Sequence, residues 1–166
     1  MIILGIDPGF AIVGYGAVEY QSGRFRTLGY GAITTPAHIE THKRLAAIYD
    51  ELSQILAKYR PDDVAIEELF FNSNHKTAIA VAEARGVILL AAQKAGVNIY
   101  EYTPLQVKQA VVGYGRAEKK QVITMTNHLL GLAKGPRLDD TADALAIAVC
   151  HAHTGASKLR DFYNLK

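Results

Sequence analysis

Residues 41–68 read THKRLAAIYDELSQILAKYRPDDVAIEE, and the fold class turns on how this stretch divides. Leu45, Ile48, Tyr49, Leu52, Ile55, Leu56 and Tyr59 recur at steps of three and four, which predicts an amphipathic helix over residues 41–60. Pro61 stops it. Asp62-Asp63-Val64-Ala65-Ile66-Glu67-Glu68 then reads as a strand that is apolar at its centre and acidic at its exit. A helix that delivers the chain into a buried strand marks the parallel part of an α/β sheet.

Upstream the period is two. Residues 1–7, MIILGID, form a short apolar run ended by the turn signal Pro8-Gly9. Residues 11–20 are rich in Val, Ile, Tyr and Gly, Gln21-Ser22-Gly23-Arg24 reads as a hairpin turn, and residues 25–34 make a third strand. Such short turns force antiparallel neighbours. Downstream, Ser73 or Asn74 is placed to cap a helix running to about Lys94, with Gly96 as its C-terminal signal. Residues 97–102 read as a fifth strand, and helices fill the remainder, including residues 139–151. The expected architecture is α/β: a five-stranded mixed sheet, three antiparallel strands then two parallel, with helices on both faces. The helix near residues 74–94 is apolar on more than one face, so one face covers the sheet and the other is expected to meet a partner subunit.

The chain of 166 residues fits one domain, residues 1–166, with residues 154–166 expected as a flexible tail. No run is long and apolar enough to cross a bilayer, and the N-terminus has neither the basic region nor the cleavage site of a signal peptide. Cys150 is the sole cysteine, which excludes an intrachain disulfide and a thiolate zinc cluster; a cytoplasmic location is expected. The net charge of +2 is uninformative, but its distribution is not. Residues 103–137 hold Lys108, Arg116, Lys119, Lys120, Lys134 and Arg137 against Glu118 alone, a basic third that points to a polyanion partner.

Acids sit where chemistry gathers in such folds. Asp7 ends the first strand and Glu67 the fourth, and ligands of open α/β sheets bind beyond the carboxyl ends of strands. Asp140 and Asp143 share one face of the first turn of the last helix; Asp139 is an equally permitted partner for Asp143. Glu67 and Glu68 point to opposite faces of their strand, so only one can join Asp7. Crowded carboxylates repel, and hard divalent cations such as Mg²⁺ or Mn²⁺ relieve that cost. Two ions roughly 3.5–4 Å apart suit in-line phosphodiester hydrolysis. Taken singly, each acid has a plainer explanation: a turn aspartate before Pro-Gly, a solvated strand end, a helix cap.

The stretches GIDPG (5–9), PDDVAIEELFF (61–71), EARGVILLAA (83–92), QVKQAVVGYGRAEKKQV (106–122) and DDTADALAIAVCH (139–151), in this order, resemble the RuvC Holliday-junction resolvases over nearly the whole chain. The resemblance implies a ribonuclease H-like nuclease domain that nicks opposed strands of four-way DNA junctions symmetrically in recombination and repair. It assigns catalysis and metal binding to Asp7, Glu67, Asp140 and Asp143, with two Mg²⁺ per site and Mn²⁺ as a substitute. It leaves Asp139 as an additional acid, places a wedge aromatic at Phe70, and places DNA-contacting lysines at Lys108 and Lys119. It also implies a homodimer and the branch-migration proteins RuvA and RuvB as partners.

The residues themselves add Tyr114, Arg116 and Lys120 to the expected DNA contacts. They surround the Gly113-Tyr114-Gly115 turn, where glycines admit phosphate to backbone N–H groups, cations release counterions and a tyrosine can stack. Histidines at positions 38, 42, 75, 128, 151 and 153 lack zinc spacing and read as surface or packing residues. A sugar-kinase or actin-like nucleotide domain shares the GIDPG turn but needs a second glycine-rich phosphate loop, which is absent here. A non-catalytic DNA-binding module would be penalised by four acids beside phosphate. The related YqgF group of nucleases is the nearest enzymatic competitor.

Overall fold

The computed structural model describes residues 1–68 and 75–155. Strands β1 (Ile2–Asp7), β2 (Ile12–Gln21) and β3 (Arg24–Thr34) form an antiparallel meander. Helix α1 (Thr41–Tyr59) carries the chain back to β4 (Asp63–Glu67), and α2 (His75–Lys94) carries it to β5 (Asn98–Tyr102). Both crossovers yield parallel pairs, β1 with β4 and β4 with β5, and the sheet order is β3-β2-β1-β4-β5. Three helices follow: α3 (Pro104–Val112), α4 (Lys119–Leu129) and α5 (Asp139–Gly155). The mixed five-stranded sheet is the one expected from the sequence.

Period-two alternation divides the core into two layers. Leu4, Ile6, Val13, Val64 and Ile66 face α1 and α2, where they meet Ile48, Leu52, Ala84 and Ile88. Ile3, Val18 and Ala65 face the other way, onto α5 and the α3–α4 pair. Helix α5 is the centre of that second layer, with every residue from Thr141 to Ala152 buried except Asp143. Its backbone lies directly on the sheet because the strands beneath it present glycines. A Cβ on Gly5 would fall 2.0 Å from the Ala144 carbonyl oxygen, and a Cβ on Gly14 would fall 2.0 Å from that of Asp140.

Several boundaries differ from those expected, each for a local reason. Helix α1 ends one residue early because Arg60 adopts a left-handed conformation (φ 45°) and donates its N–H to Leu56 O at 2.8 Å. Asp62 is not strand; its carboxylate accepts from Ile2 N at 2.6 Å and ties the start of β1 to the start of β4. Helix α5 runs on to Gly155, so positions 154 and 155 are helical rather than tail, since no Gly or Pro interrupts it sooner. Ser73, Asn74 and residues 156–166 lie outside the described residues. Among the described residues no helix is long and apolar enough to cross a membrane.

Candidate active site

Alternation selects which acids meet. On β1, Ile3 and Gly5 face α5, so Asp7 does too; on β4, Asp63 and Ala65 face α5, so Glu67 does and Glu68 does not. Ile6 pairs with Ile66 in the parallel register, which sets Asp7 beside Glu67 at the carboxyl ends of adjacent strands. On its other side Asp7 pairs with Gly14, the glycine on which the Asp140 backbone rests. Thr141 adds a second tie, its hydroxyl donating to Gly31 O at 3.1 Å. The first turn of α5 is thereby seated over the end of β1, with Asp140 and Asp143 on the side of Asp7.

The chain leaving Asp7 is also anchored. Phe10 O accepts from the Thr35 hydroxyl at 2.6 Å and from Arg44 Nη2 at 3.2 Å. The buried Arg44 guanidinium stacks over the Phe10 ring, 3.7 Å from its centroid. Position 44 sits in the first turns of α1, so that helix helps to fix the Pro8-Gly9 turn.

The electrostatics record the convergence. Burial first, then the charges of Glu67, Asp143 and Asp140, raise the Asp7 pKa from 3.8 to about 8, against a lowering by Lys119. Glu67 is raised as well, by burial and then by Asp143, again opposed by Lys119. Asp139 does not enter the Asp7 environment; it is exposed, and its carboxylate lies 3.4 Å from Lys119 Nζ. Of the candidate acids, Glu67, Asp143 and Asp140 are the ones whose charges act on Asp7.

Lys119 occupies an unexpected position. Glu118 caps α4, with its N–H bonded to Gln121 Oε1 at 2.8 Å. Lys119, the next residue, reaches across to Asp143 Oδ2 at 2.8 Å. Burial pulls its pKa down, but Asp143 and Asp139 outweigh that and the net direction is up. As the side chains stand, no three of the described His, Cys, Asp or Glu residues close around a common point at metal-binding distance. The carboxylates are thus near enough to repel without closing into a chelate among the described residues, and one of them, Asp143, is paired with Lys119. Their chemistry fits a divalent cation: hard oxygen donors, negative charge that one lysine offsets only in part, and a half-buried member whose pKa is raised by desolvation and by its neighbours.

Of the expected DNA contacts, Tyr114 is 46 % exposed in the turn after α3, which ends at Gly113 with φ 95°. Arg116 and Lys120 are exposed, and Lys108 is half-buried on α3. Phe70 lies outside the described residues.

Sequence reasoning missed three features. The glycine seat under α5 left its signal in Gly5, Gly14 and Gly16. The Lys119 bridge left none, because it joins segments 24 positions apart. The third is a buried chain of polar groups at the far end of α5. His151 lies 3.0 Å from Asp63 through Nε2 and 2.7 Å from the Tyr102 hydroxyl through Nδ1, and Asn98 donates to the other Asp63 oxygen at 3.1 Å. It pins α5 to β4 and β5, so the helix is fixed at both ends.

Known proteins share this fold. The family model for crossover junction endodeoxyribonuclease RuvC matches residues 3–151. The chain belongs to the RuvC family. A RuvC of Alkaliphilus oremlandii is 61% identical over 155 residues, covering 93% of this chain and 94% of the relative. The Clostridioides difficile RuvC is 58% identical over 154 residues, covering 93% and 91%. Thermus thermophilus RuvC, solved in complex with a Holliday junction substrate, superposes with a TM-score of 0.89 at 39% identity, covering 93% of this chain and 94% of that one. The yeast mitochondrial Holliday junction resolvase Ydc2 shares the fold, with a TM-score of 0.67 at 14% identity. The five-stranded sheet is therefore that of the RuvC family, and the enzyme class is that of a crossover junction endodeoxyribonuclease.

Proposed function

We propose that this chain resolves four-way DNA junctions by metal-dependent phosphodiester hydrolysis, with Asp7, Glu67, Asp140 and Asp143 as the ligands. The observation that carries the reading is Asp7, half-buried and pressed by three other carboxylates at the end of the central strand. In the absence of a cation that arrangement is costly, because desolvation and the neighbouring carboxylates raise the affinity of Asp7 for its proton. Mg²⁺, or Mn²⁺ in its stead, would supply the Lewis-acid charge that activates water and stabilises the leaving oxygen. The protein's part is to hold the carboxylates in place: Asp7 between Glu67 and the first turn of α5, Asp140 and Asp143 on one helical face. Lys108, Tyr114, Arg116, Lys119 and Lys120 bind the DNA, chiefly through phosphate. Phe70 is assigned the wedge at the junction centre on the family resemblance.

A four-way junction offers two opposed strands related by a two-fold axis, and a C2 dimer brings one site to each. Helix α2 supports such a dimer. Ile79 and Leu90 are 65% and 54% exposed, and with Glu83 and Gly86 they form one uncovered stripe. RuvA and RuvB are the partners expected from the family, and residues 1–166 act as one nuclease domain.

The test is to incubate the protein with synthetic four-way, three-way and linear DNA, with and without Mg²⁺. Paired nicks in opposed strands of the four-way substrate, only with metal, are expected. Equal cutting of linear duplex, or cutting in excess EDTA, would contradict the reading. A monomer by sedimentation at micromolar concentration would remove the dimer.

A further inference from the structure

We infer that Lys119 is an internal counter-ion that competes with the divalent cation for Asp143, so that metal uptake releases a lysine at the cleavage site. The inference rests on the four-carboxylate reading above and adds to it a cost of metal binding and a coupling to DNA. Lys119 Nζ lies 2.8 Å from Asp143 Oδ2 and 3.4 Å from Asp139 Oδ2, so one ammonium bridges two carboxylates. Only one of these, Asp143, also acts on Asp7 and Glu67. Asp139 is the more exposed of the two, 75% against 33%, and serves as the outer anchor.

The geometry explains why the acids repel without closing into a chelate. An ammonium on Asp143 offsets part of the cluster's charge but cannot be shared among four carboxylates as a small divalent ion can. A divalent cation on Asp143 repels the ammonium and draws charge from the same carboxylate that holds it, so the two compete. A displaced Lys119 remains on the first turn of α4, in the basic segment, tethered outward by Asp139 alone. Its charge is then available to a phosphate beside the metal. Metal loading therefore raises polyanion affinity, and by reciprocity the polyanion raises metal affinity by the same factor.

The experiment measures Mn²⁺ affinity of the metal-free protein without DNA, by calorimetry and by electron paramagnetic resonance of free Mn²⁺. Wild type is compared with Lys119→Met, Asp7→Asn and Lys134→Met, the last removing the same charge from elsewhere in the basic segment. Lys119→Met is expected to bind Mn²⁺ at least five-fold more tightly, Lys134→Met within two-fold of wild type. Unchanged or weaker binding by Lys119→Met overturns the inference, as does equal tightening by Lys134→Met. Equal Mn²⁺ binding by wild type and Asp7→Asn would instead overturn the metal-site reading itself, which keeps the two failures apart. A second measurement needs no variant. The side-chain ammonium resonance of Lys119 is expected to be protected from exchange without metal and to lose that protection as Mg²⁺ is added. Protection that persists at saturating Mg²⁺ would overturn the competition.

Discussion

Replacing Asp7 by Asn should make the metal-free protein more stable while destroying its activity. In the folded chain the Asp7 pKa is raised to about 8, against an ordinary value of 3.8, because the carboxyl is partly desolvated and faces three other carboxylates. Below 3.8 both folded and unfolded states carry the proton and the site costs nothing. Between 3.8 and about 8 the folded state binds more protons, so stability falls as pH rises; above that the cost is constant. The gap, at about 1.4 kcal/mol per tenfold change in proton affinity, sets a ceiling of about 6 kcal/mol. Water and the partly exposed neighbours relax around the charge, so a gain of roughly 2–4 kcal/mol is expected for Asp7→Asn at alkaline pH. Urea unfolding in EDTA at about pH 5 and about pH 8.5 measures it. The midpoint difference should be small at the lower pH and large at the higher, and Mg²⁺ should stabilise wild type but not the variant. Asp7→Asn less stable than wild type at the higher pH, or a gain equal at both, would refute the reasoning.

Other outcomes follow from the same geometry. Gly14→Ala puts a methyl 2.0 Å from the Asp140 carbonyl, which belongs to backbone and cannot rotate away; a loss of about 1–3 kcal/mol is expected in urea unfolding, with weaker Mn²⁺ binding because α5 is lifted from β2. His151→Ala strips the buried Asp63 of one partner, and a cost of about 3 kcal/mol or more is expected from calorimetry, with the cleavage rate per folded molecule unchanged. Removing Lys108 or Lys120 should weaken junction binding and reduce the slope of log affinity against log salt by about 0.9 for each phosphate that is no longer neutralised; an unchanged slope would take that residue out of the interface.

The sheet is readable because its signals are local: the change of period at residue 41, the hairpin at Ser22-Gly23 and the strand exit at Glu67 each lie within a few residues. Placing Asp7 and Glu67 together needs one assumption, that the first and fourth strands are neighbours, and the parallel register of Ile6 with Ile66 satisfies it. Choosing Glu67 over Glu68, and Asp140 over Asp139, is beyond spacing alone. Those choices depend on which strand face meets α5 and on how that helix is rotated over Gly14, both set by packing between distant segments. The same holds for Lys119, which charge counting places among solvent-facing DNA contacts. Its partner Asp143 lies on another helix, and no pattern within residues 103–137 points to it. His151 has the look of an ordinary helix residue until the fold sets it between Asp63 and Tyr102.

The most direct test of the four-carboxylate site is anomalous scattering from crystals of the protein soaked in Mn²⁺. Strong peaks ringed by carboxylate oxygens of Asp7, Glu67, Asp140 and Asp143 are expected, with Lys119 withdrawn from Asp143. Mn²⁺ bound elsewhere, with these four side chains unengaged at saturating ion, would contradict the site.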